Sequence, residues 1–327
     1  MKTSVMTFSQ AIGDGIVVEM ERDPNVYVAG EDVWGARGGN FLVTKAPYEK
    51  FGPARVLDTP ISETAILGHA VGAAMVGLRP IVEIMFVDFM GVCFDELMNQ
   101  AAKLRYMTGG QVDMPLVIRC ADGAGLGAAA QHSQSLEGLL THIPGLKVVC
   151  ASTPAEAKGL LTSAVRDDNP VVFLEHKGLY GLEGDVPEGE HLVPLGKADV
   201  KREGADVTIV TWSAMVHEAL RAAQLLSGDG VDVEVVDLRS LVPLDTATIL
   251  ESVGKTHRVV IVHEAARTCG FGAEVSALMA DEGFDLLDAP VRRVTGLDTP
   301  IPFSPPLEAE CLPNADKIRA AVVAGLN

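Results

Sequence analysis

Short apolar clusters alternate with segments of helical periodicity from one end of this 327-residue chain to the other. Such alternation is typical of βαβ units, in which helices cover parallel strands. The predicted strands lie at residues 26–29, 80–85, 115–120, 146–150 and 170–175, and then at 207–212, 231–237, 258–263 and 291–294. The predicted helices lie at residues 8–21, 62–77, 91–107 and 154–165, and then at 215–226, 245–253, 273–282 and 316–324. We therefore expect an α/β fold with mainly parallel sheets flanked by helices.

A turn-prone stretch rich in glycine, proline and glutamate, residues 184–190, separates two series of these units. The length agrees with this division, because a domain has roughly 150 residues. We expect a first domain at residues 1–186, a linker at 187–203 and a second domain at 204–327.

The charge of the chain narrows the range of possible partners. It has 26 Lys and Arg residues against 44 Asp and Glu residues, and the resulting net charge of −18 repels phosphate backbones and anionic lipid headgroups. Its most apolar stretch, residues 68–94, is interrupted by Arg79, Pro80, Glu83 and Asp88, so it does not resemble a membrane-spanning helix. We expect neither nucleic acid nor a membrane as a partner.

The five cysteines are scattered and contain no C-x-x-C pair. This distribution excludes a disulfide framework and a zinc site of the usual spacing. The N-terminal residues also lack the apolar core and the cleavage site of a secretory signal. We therefore expect the protein in the cytoplasm.

Residues 123–128 read GAGLGA and match the dinucleotide-binding pattern G-x-G-x-x-A. A nicotinamide site also needs an acidic residue about 20 positions later, at the end of the next strand. That strand ends at Cys150, Ala151 and Ser152, which are not acidic. We interpret the stretch as a flexible loop leading to His132, which precedes a helical pattern at residues 135–140. From position alone His132 is either a site residue at the carboxyl edge of the sheet or a surface or capping histidine.

Glu63 lies in the first turn of a helix otherwise made of small and apolar residues. Its carboxylate is explained either by the helix dipole or by a buried acid with a raised pKa. In the same helix Gly68 and Gly72 stand four residues apart. Their spacing predicts a soluble helix packed tightly against another backbone.

Two G-D-G triplets, at residues 13–15 and 228–230, share the first element of the thiamine diphosphate signature, in which Asn follows the triplet 25–30 residues later. Asn40 stands at about that distance from the first triplet, but the triplet lies inside a helical pattern and does not follow a buried strand. The second triplet has no such Asn and reads as a turn. We interpret both matches as accidental, so the residues alone show no diphosphate or magnesium site.

Motifs along the whole chain nevertheless resemble one family, the β subunits of the thiamine diphosphate-dependent, decarboxylating component of the 2-oxo acid dehydrogenase complexes. The matching stretches are residues 57–63, 86–89, 99–103, 131–134, 142–148, 237–245, 270–274 and 287–290. The resemblance implies a transketolase-like pyrimidine-binding domain followed by a transketolase C-terminal-like domain. It also implies an assembly of two α and two β chains in which the α subunit holds magnesium and the diphosphate.

The resemblance assigns roles to individual residues. Glu63 matches the glutamate that hydrogen-bonds N1′ of the aminopyrimidine ring of the cofactor, and Phe89 matches the aromatic residue against which that ring stacks. Ile61 and Met85 match its neighbours in the pocket. His132 matches the histidine that faces the reacting carbon and moves protons there. A structural potassium site is matched by Leu116 and Ala164, through their carbonyls, and by Asp167 and Asn169.

Within the family, residues 89–95, 141–145 and 175–184 look most like acetoin dehydrogenase β subunits, although residues 35–40 are short for the family. This implies cleavage of acetoin and transfer of a two-carbon unit to the lipoyl domain of an acyltransferase partner. The alternatives are a pyruvate or branched-chain 2-oxo acid dehydrogenase β subunit, a non-catalytic assembly subunit, and a dinucleotide-dependent dehydrogenase.

Overall fold

The computed structural model describes residues 2–35 and 38–326, and the segment 35–40 therefore lies partly outside the described residues. The chain forms two compact units. One consists of Met1–Asp122 with Leu139–Leu195, and the other of Gly123–Gly138 with Gly196–Asn327. In the described part of the chain, no helix is both long enough and apolar enough to cross a membrane.

The first unit is built on a parallel sheet. Its strands are β1 (Thr3–Thr7), β2 (Val26–Gly30), β3 (Val56–Asp58), β4 (Arg79–Phe86), β5 (Val117–Asp122), β6 (Lys147–Cys150), β7 (Val171–His176) and β8 (Glu183–Pro187). Its helices are α1 (Phe8–Arg22), α2 (Lys45–Phe51), α3 (Glu63–Met75), α4 (Leu104–Met107) and α6 (Pro154–Arg166). The short helix α5 (Glu137–Thr141) lies where the chain re-enters this unit. The parallel order is β6-β7-β5-β4-β2-β3, while β1 and β8 form a separate antiparallel pair. The strand patterns are almost wholly buried, as expected for a parallel sheet covered by helices.

The first G-D-G triplet lies inside α1, as predicted, and its residues serve packing between helices. The carboxylate of Asp14 pairs with the buried ammonium of Lys158 at 2.6 Å. A Cβ on Gly13 would come within 2.5 Å of the Val43 carbonyl oxygen, and one on Gly15 within 3.4 Å of a carbonyl oxygen in α6. The glycines are therefore explained by close approach of neighbouring backbone.

The second unit has a smaller sheet. The strands of this unit are β9 (Asp199–Arg202), β10 (Val207–Thr211), β11 (Val233–Asp237), β12 (Ser240–Val242), β13 (Val259–Ala266) and β14 (Arg292–Gly296), and all of them except β12 belong to this sheet. Its helices are α7 (Met215–Gly228), α8 (Thr246–Thr256), α9 (Gly272–Asp281), α10 (Pro305–Cys311) and α11 (Ala315–Leu326). The sheet order is β14-β13-β10-β11-β9, with only the edge strand β9 antiparallel. Apolar residues of β10, β11 and β13 pack with α7 and α11 into one core.

Two segments differ from the sequence-based expectation. Residues 91–107, expected as one helix, form a 3₁₀ segment (Val87–Cys93), a π-helical segment (Glu96–Ala101) and the short α4. Gly91, a poor helix former, lies in the first of these segments. The turn-prone stretch at residues 184–190 contains most of β8. This strand pairs with β1, which lies near the other end of the first unit in the sequence.

A buried ion network crosses the first sheet. The Arg119 guanidinium donates two hydrogen bonds to Glu175, at 2.7 and 2.8 Å, and one to Glu83 at 2.8 Å. The Tyr180 hydroxyl donates to the same Glu175 carboxylate at 2.8 Å. Burial favours a lower pKa for Arg119, but the two carboxylates outweigh it and raise the pKa above its ordinary value. Gly39, with φ +76°, lies so close that an added Cβ would come within 3.1 Å of Glu83.

In the second unit the side chain of His263, a residue in the second half of β13, occupies a narrow slot. Its ring stacks on Trp212, with centroids 5.3 Å apart and planes within 10°. A Cβ added to either Gly270 or Gly272 would lie 2.5 Å from ring carbons of His263. Burial, followed by the charge of Arg293, lowers the pKa of His263 from 6.5 to about 4. The native state therefore holds a neutral imidazole.

This shift predicts acid sensitivity of the second unit. Between pH 6.5 and 4 the unfolded chain binds more protons than the folded one, so stability is complete above pH 6.5 and falls as the pH is lowered through this window. The expected loss is up to about 3 kcal/mol. It is measured from urea unfolding followed by Trp212 fluorescence in a Trp34→Phe background, since these are the two tryptophans of the chain. His263→Gln should remove most of the slope, and an unchanged slope would contradict the assignment.

Candidate active site

Glu63 is the first residue of α3 and follows the turn after β3. The Thr59 amide donates to the Gly30 carbonyl at 2.9 Å, which holds this turn at the carboxyl ends of β2 and β3. Parallel strands end at a common edge, where α/β proteins place their sites. Glu63 is half-buried, and across residues 2–35 and 38–326 nothing donates a hydrogen bond to its carboxylate. As far as the described residues are concerned, both carboxylate oxygens are therefore open to a ligand.

The Phe89 segment lies next to the start of α3. The Thr64 hydroxyl donates to the Val92 carbonyl at 2.9 Å, so the first turn of α3 contacts the 3₁₀ segment that carries Phe89. Phe89 is half-buried and packs edge to face on Phe86, with ring centroids 5.6 Å apart. Met85 is the second-last residue of β4. Ile61 lies two residues before the start of α3 and is 77% exposed. The first unit thus brings the four expected pyrimidine-pocket residues to one edge of the sheet.

Further acidic residues lie near Glu63 and were not predicted as part of the site. The pKa of Glu31 is raised by burial first, and then by the charges of Glu63, Asp32 and Asp58. Burial, followed by the charge of Glu63, also raises the pKa of the Cys93 thiol to about 12. The available signal for Glu31 was its position directly after a buried strand. Burial and the neighbouring negative charges therefore favour the protonated forms of Glu31 and Cys93.

His132 belongs to the second unit, in the segment Gly123–Gly138. Its amide donates to the Ala129 carbonyl at 3.2 Å, and the Gly123 amide closes the loop by donating to the Gln134 carbonyl at 3.0 Å. The helix expected directly after it begins only at Glu137, so His132 lies within a closed loop and not at a helix start. The imidazole is half-buried.

The glycine-rich part of this loop is more firmly held than the sequence suggested. The Ala124 amide donates to Glu264 at 2.5 Å, and the Gly125 and Gly127 amides donate to the two oxygens of Glu308 at 2.8 and 2.9 Å. The interpretation as a flexible loop is therefore wrong, because carboxylates of the chain itself bind the amides that a nucleotide phosphate would need. Glu264 and Glu308 carry no local sequence signal, since they lie more than 100 residues away.

The four residues expected as potassium ligands lie in the first unit, with Leu116 directly before β5 and the other three at or just after the end of α6. The Leu116 carbonyl accepts from the Val171 amide at 2.9 Å, and the Ala164 carbonyl accepts from the Asp167 amide at 3.2 Å. Asp167 Oδ1 accepts from the amide and the side chain of Asn169, both at 2.9 Å. Burial favours a raised pKa for Asp167, but hydrogen bonds from Lys147 and Asn169 outweigh it and lower the pKa.

Arginine side chains also hold this corner. Arg79 donates to the Asp167 carbonyl at 3.1 Å, and Arg105 donates to Asn169 Oδ1 at 3.1 Å. The side-chain oxygens of Asp167 and Asn169 are thus already used by protein donors. The carbonyls of Leu116 and Ala164 each keep a second lone pair that can accept from a further partner.

The small-residue face of α3 does not pack against this chain. A Cβ on Gly72 would meet no atom of the described residues within 4 Å, and one on Gly68 would meet only the side chain of Glu96, at 3.6 Å. Val76 beyond the helix is exposed as well. The predicted tight packing is therefore not made with the residues that the structure describes, which leave this face open.

Family comparisons agree with the two-part sequence pattern. Residues 4–183 match the model for the transketolase pyrimidine binding domain, and residues 196–318 match that for the transketolase C-terminal domain. Among solved structures, one titled "Split gene transketolase, inactive beta4 tetramer" has a TM-score of 0.80 at 25% identity and covers 98% of both chains.

Curated relatives match over nearly their whole length. The acetoin:2,6-dichlorophenolindophenol oxidoreductase subunit beta of Cupriavidus necator is 53% identical over 97% of this chain and 96% of its own. The 2-oxoisovalerate dehydrogenase subunit beta of Bacillus subtilis is 46% identical over 98% of each chain. The pyruvate dehydrogenase E1 component subunit beta of Rickettsia felis is 48% identical over 97% of each.

Proposed function

Because the chain belongs to the family of β subunits of acetoin and 2-oxo acid dehydrogenases, we propose that it is the β subunit of a thiamine diphosphate-dependent acetoin dehydrogenase. With an α subunit it cleaves acetoin and passes the two-carbon unit to a lipoyl domain of an acyltransferase. The observation that carries this proposal is the open Glu63 carboxylate beside the Phe89 segment.

The residues at the edge of the first sheet fit the pyrimidine half of thiamine diphosphate. When bound, this cofactor supplies the carbanion chemistry that breaks the carbon–carbon bond. Glu63 has free carboxylate oxygens to accept a hydrogen bond from a ring nitrogen and to share a proton with it. The aromatic ring of Phe89 offers a stacking surface, and Met85 and Ile61 supply apolar walls. Glu63 is therefore the proton-handling residue for the cofactor.

For His132 we propose proton transfer at the reacting carbon of the substrate. The half-buried imidazole has two ring nitrogens, one of which can donate and the other accept a hydrogen bond. The two hydrogen bonds from the Gly125 and Gly127 amides to Glu308 support this proposal, because they hold the loop that carries His132. A lone capping role would not need such support.

The diphosphate and magnesium are proposed to be held by the α subunit. Asp14, the acid of the first G-D-G triplet, already pairs with Lys158 inside the helix packing. The open glycine face of α3 gives a partner backbone room to approach, which supports an assembly of two α and two β chains. The five cysteines are all free, as expected for a cytoplasmic protein.

Potassium is proposed as a structural ion at the carbonyls of Leu116 and Ala164, next to Asp167 and Asn169. A bound ion stabilises the folded state by mass action. The melting temperature should therefore be higher in potassium chloride than in an equal concentration of lithium chloride. Equal melting temperatures in the two salts would refute the site.

The substrate is tested with the complex purified with its α subunit. Acetoin, pyruvate and a branched 2-oxo acid are compared by kcat/KM with a lipoyl domain as acceptor. Acetoin should be preferred at least tenfold. Preference for a 2-oxo acid would support the second candidate, a pyruvate or branched-chain dehydrogenase, which the 46–48% identities favour next. Calorimetric binding of NAD to the isolated chain would instead revive a dinucleotide enzyme.

A further inference from the structure

The backbone amides of the glycine-rich loop form an anion-binding site, and the anion that they bind is the buried carboxylate of Glu308. Glu308 lies in α10 with only 3% of its surface exposed. Its Oε1 accepts the Gly125 amide at 2.8 Å and its Oε2 accepts the Gly127 amide at 2.9 Å. Gly125 and Gly127 have φ of +94° and +66°, a region that favours glycine and that turns alternate amides to one side.

These bonds join two distant parts of the chain around the His132 loop. The loop is closed at its base by the Gly123 amide on the Gln134 carbonyl. A second carboxylate, that of Glu264, accepts the Ala124 amide and also the Ser135 hydroxyl at 3.4 Å. His132 therefore lies in a loop whose first half is fixed by acceptors that bear negative charge. Charged acceptors make roughly twice as strong a bond as neutral ones.

We propose that Glu308 is a positioning residue, which holds the loop in the shape that presents His132 for proton transfer. This inference rests on the role proposed for His132. An ionised carboxylate carries no hydrogen and can only accept hydrogen bonds, so both oxygens of Glu308 can accept from the loop amides. A glutamine at this position would turn an NH₂ group toward one of the two amides. One hydrogen bond would then be lost, because the glutamine NH₂ group and a backbone N–H group, both donors, would face each other.

The hold on the loop is tested without any assay of turnover. Hydrogen exchange of the peptide covering residues 123–134 is measured in the full chain for wild type, Glu308→Gln and Glu310→Gln. Glu310 is exposed on the same helix, and its side chain makes no hydrogen bond with the described residues, so it is a matched control. Glu308→Gln should speed exchange of the Gly125 and Gly127 amides at least about tenfold, whereas the control should match wild type. Equal exchange in all three proteins would overturn the proposal.

Action through His132 is tested in the reconstituted complex. Glu308→Gln should lower kcat about tenfold with KM changed less than twofold, and it should add no further loss in a His132→Gln background. A full additional loss in that background would overturn positioning through His132. If His132→Gln alone leaves kcat unchanged, the proposed role of His132 fails, and with it positioning, even where exchange shows that Glu308 holds the loop.

A second variant covers the case in which the glutamine variant does not fold. Glu308→Asp keeps the charge but shortens the reach by one methylene. It should give exchange and kcat between those of wild type and of a variant without the carboxylate, with exchange raised at least about threefold. Wild-type exchange and kcat in a folded Glu308→Asp protein would overturn the proposal as well.

Discussion

Glu63→Gln is expected to lower kcat for acetoin cleavage by about 10²- to 10⁴-fold, while the complex with the α subunit stays intact. Glutamine has nearly the shape of glutamate but cannot take up and share a proton. The Glu63 side chain makes no hydrogen bond with the described residues that the substitution would break. The loss should therefore appear in the chemical step and not in stability.

The matched control for this variant is Glu49→Gln, an exposed position in α2. It should leave kcat within twofold of wild type. Assembly is verified for each variant by light scattering, and steady-state kinetics with acetoin give kcat. Turnover of Glu63→Gln within threefold of wild type in an assembled complex would remove Glu63 from the chemistry.

Arg119→Met is expected to destabilise the first unit by about 3–5 kcal/mol. Methionine fills much of the volume, but the buried carboxylates of Glu83 and Glu175 then lose the charge that compensates them. The loss is measured from urea unfolding curves. Adding Glu175→Gln to this variant should restore at least about 1 kcal/mol, because one of the uncompensated charges is removed.

The control for the buried network is a surface pair. Lys2→Met removes the 2.9 Å ion pair between Lys2 and Glu188, whose two side chains are both exposed. This substitution should lower the free energy of unfolding by less than about 1 kcal/mol. If Arg119→Met costs no more than Lys2→Met, burial does not give the network its weight. A further loss on adding Glu175→Gln would show that packing, and not charge, dominates.

The central strands and their helices were predictable because their apolar residues alone identify them. The strand expected at residues 207–212 is Val207–Thr211, and the helix expected at 154–165 is Pro154–Arg166. Parallel strands buried on both faces are continuous apolar runs, so their signal is local and strong. Thr153 adds a second local signal, since its side chain caps the helix.

The edges of the fold could not be predicted in the same way. β8 is a mixed, mostly solvent-facing segment that contains glycine and proline, and it forms a strand only because β1 pairs with it. Hydrogen bonding to a segment about 180 residues away gives no local pattern in the sequence. The antiparallel strand β9 is half-buried along its length and is defined in the same way by β11.

The candidate site shows the same division between local and distant information. Glu63 and Phe89 stand in short motifs, so the family resemblance could assign them. Glu308 is 183 residues from Gly125 in the chain. Its carboxylate can be identified as the partner of the loop amides only when the fold, which brings the two together, is known. The G-x-G-x-x-A stretch was interpreted as a flexible loop, whereas two of its amides bind a glutamate of the protein itself.

The central claim is that this chain supplies the pyrimidine half of a thiamine diphosphate site that a partner completes. It is tested by calorimetric titration of thiamine diphosphate with magnesium into the isolated chain, the isolated α subunit and their complex. The complex should bind the cofactor at least about 100-fold more tightly than this chain alone, a difference of about 2.8 kcal/mol. Equal affinity of the isolated chain and the complex would contradict the claim.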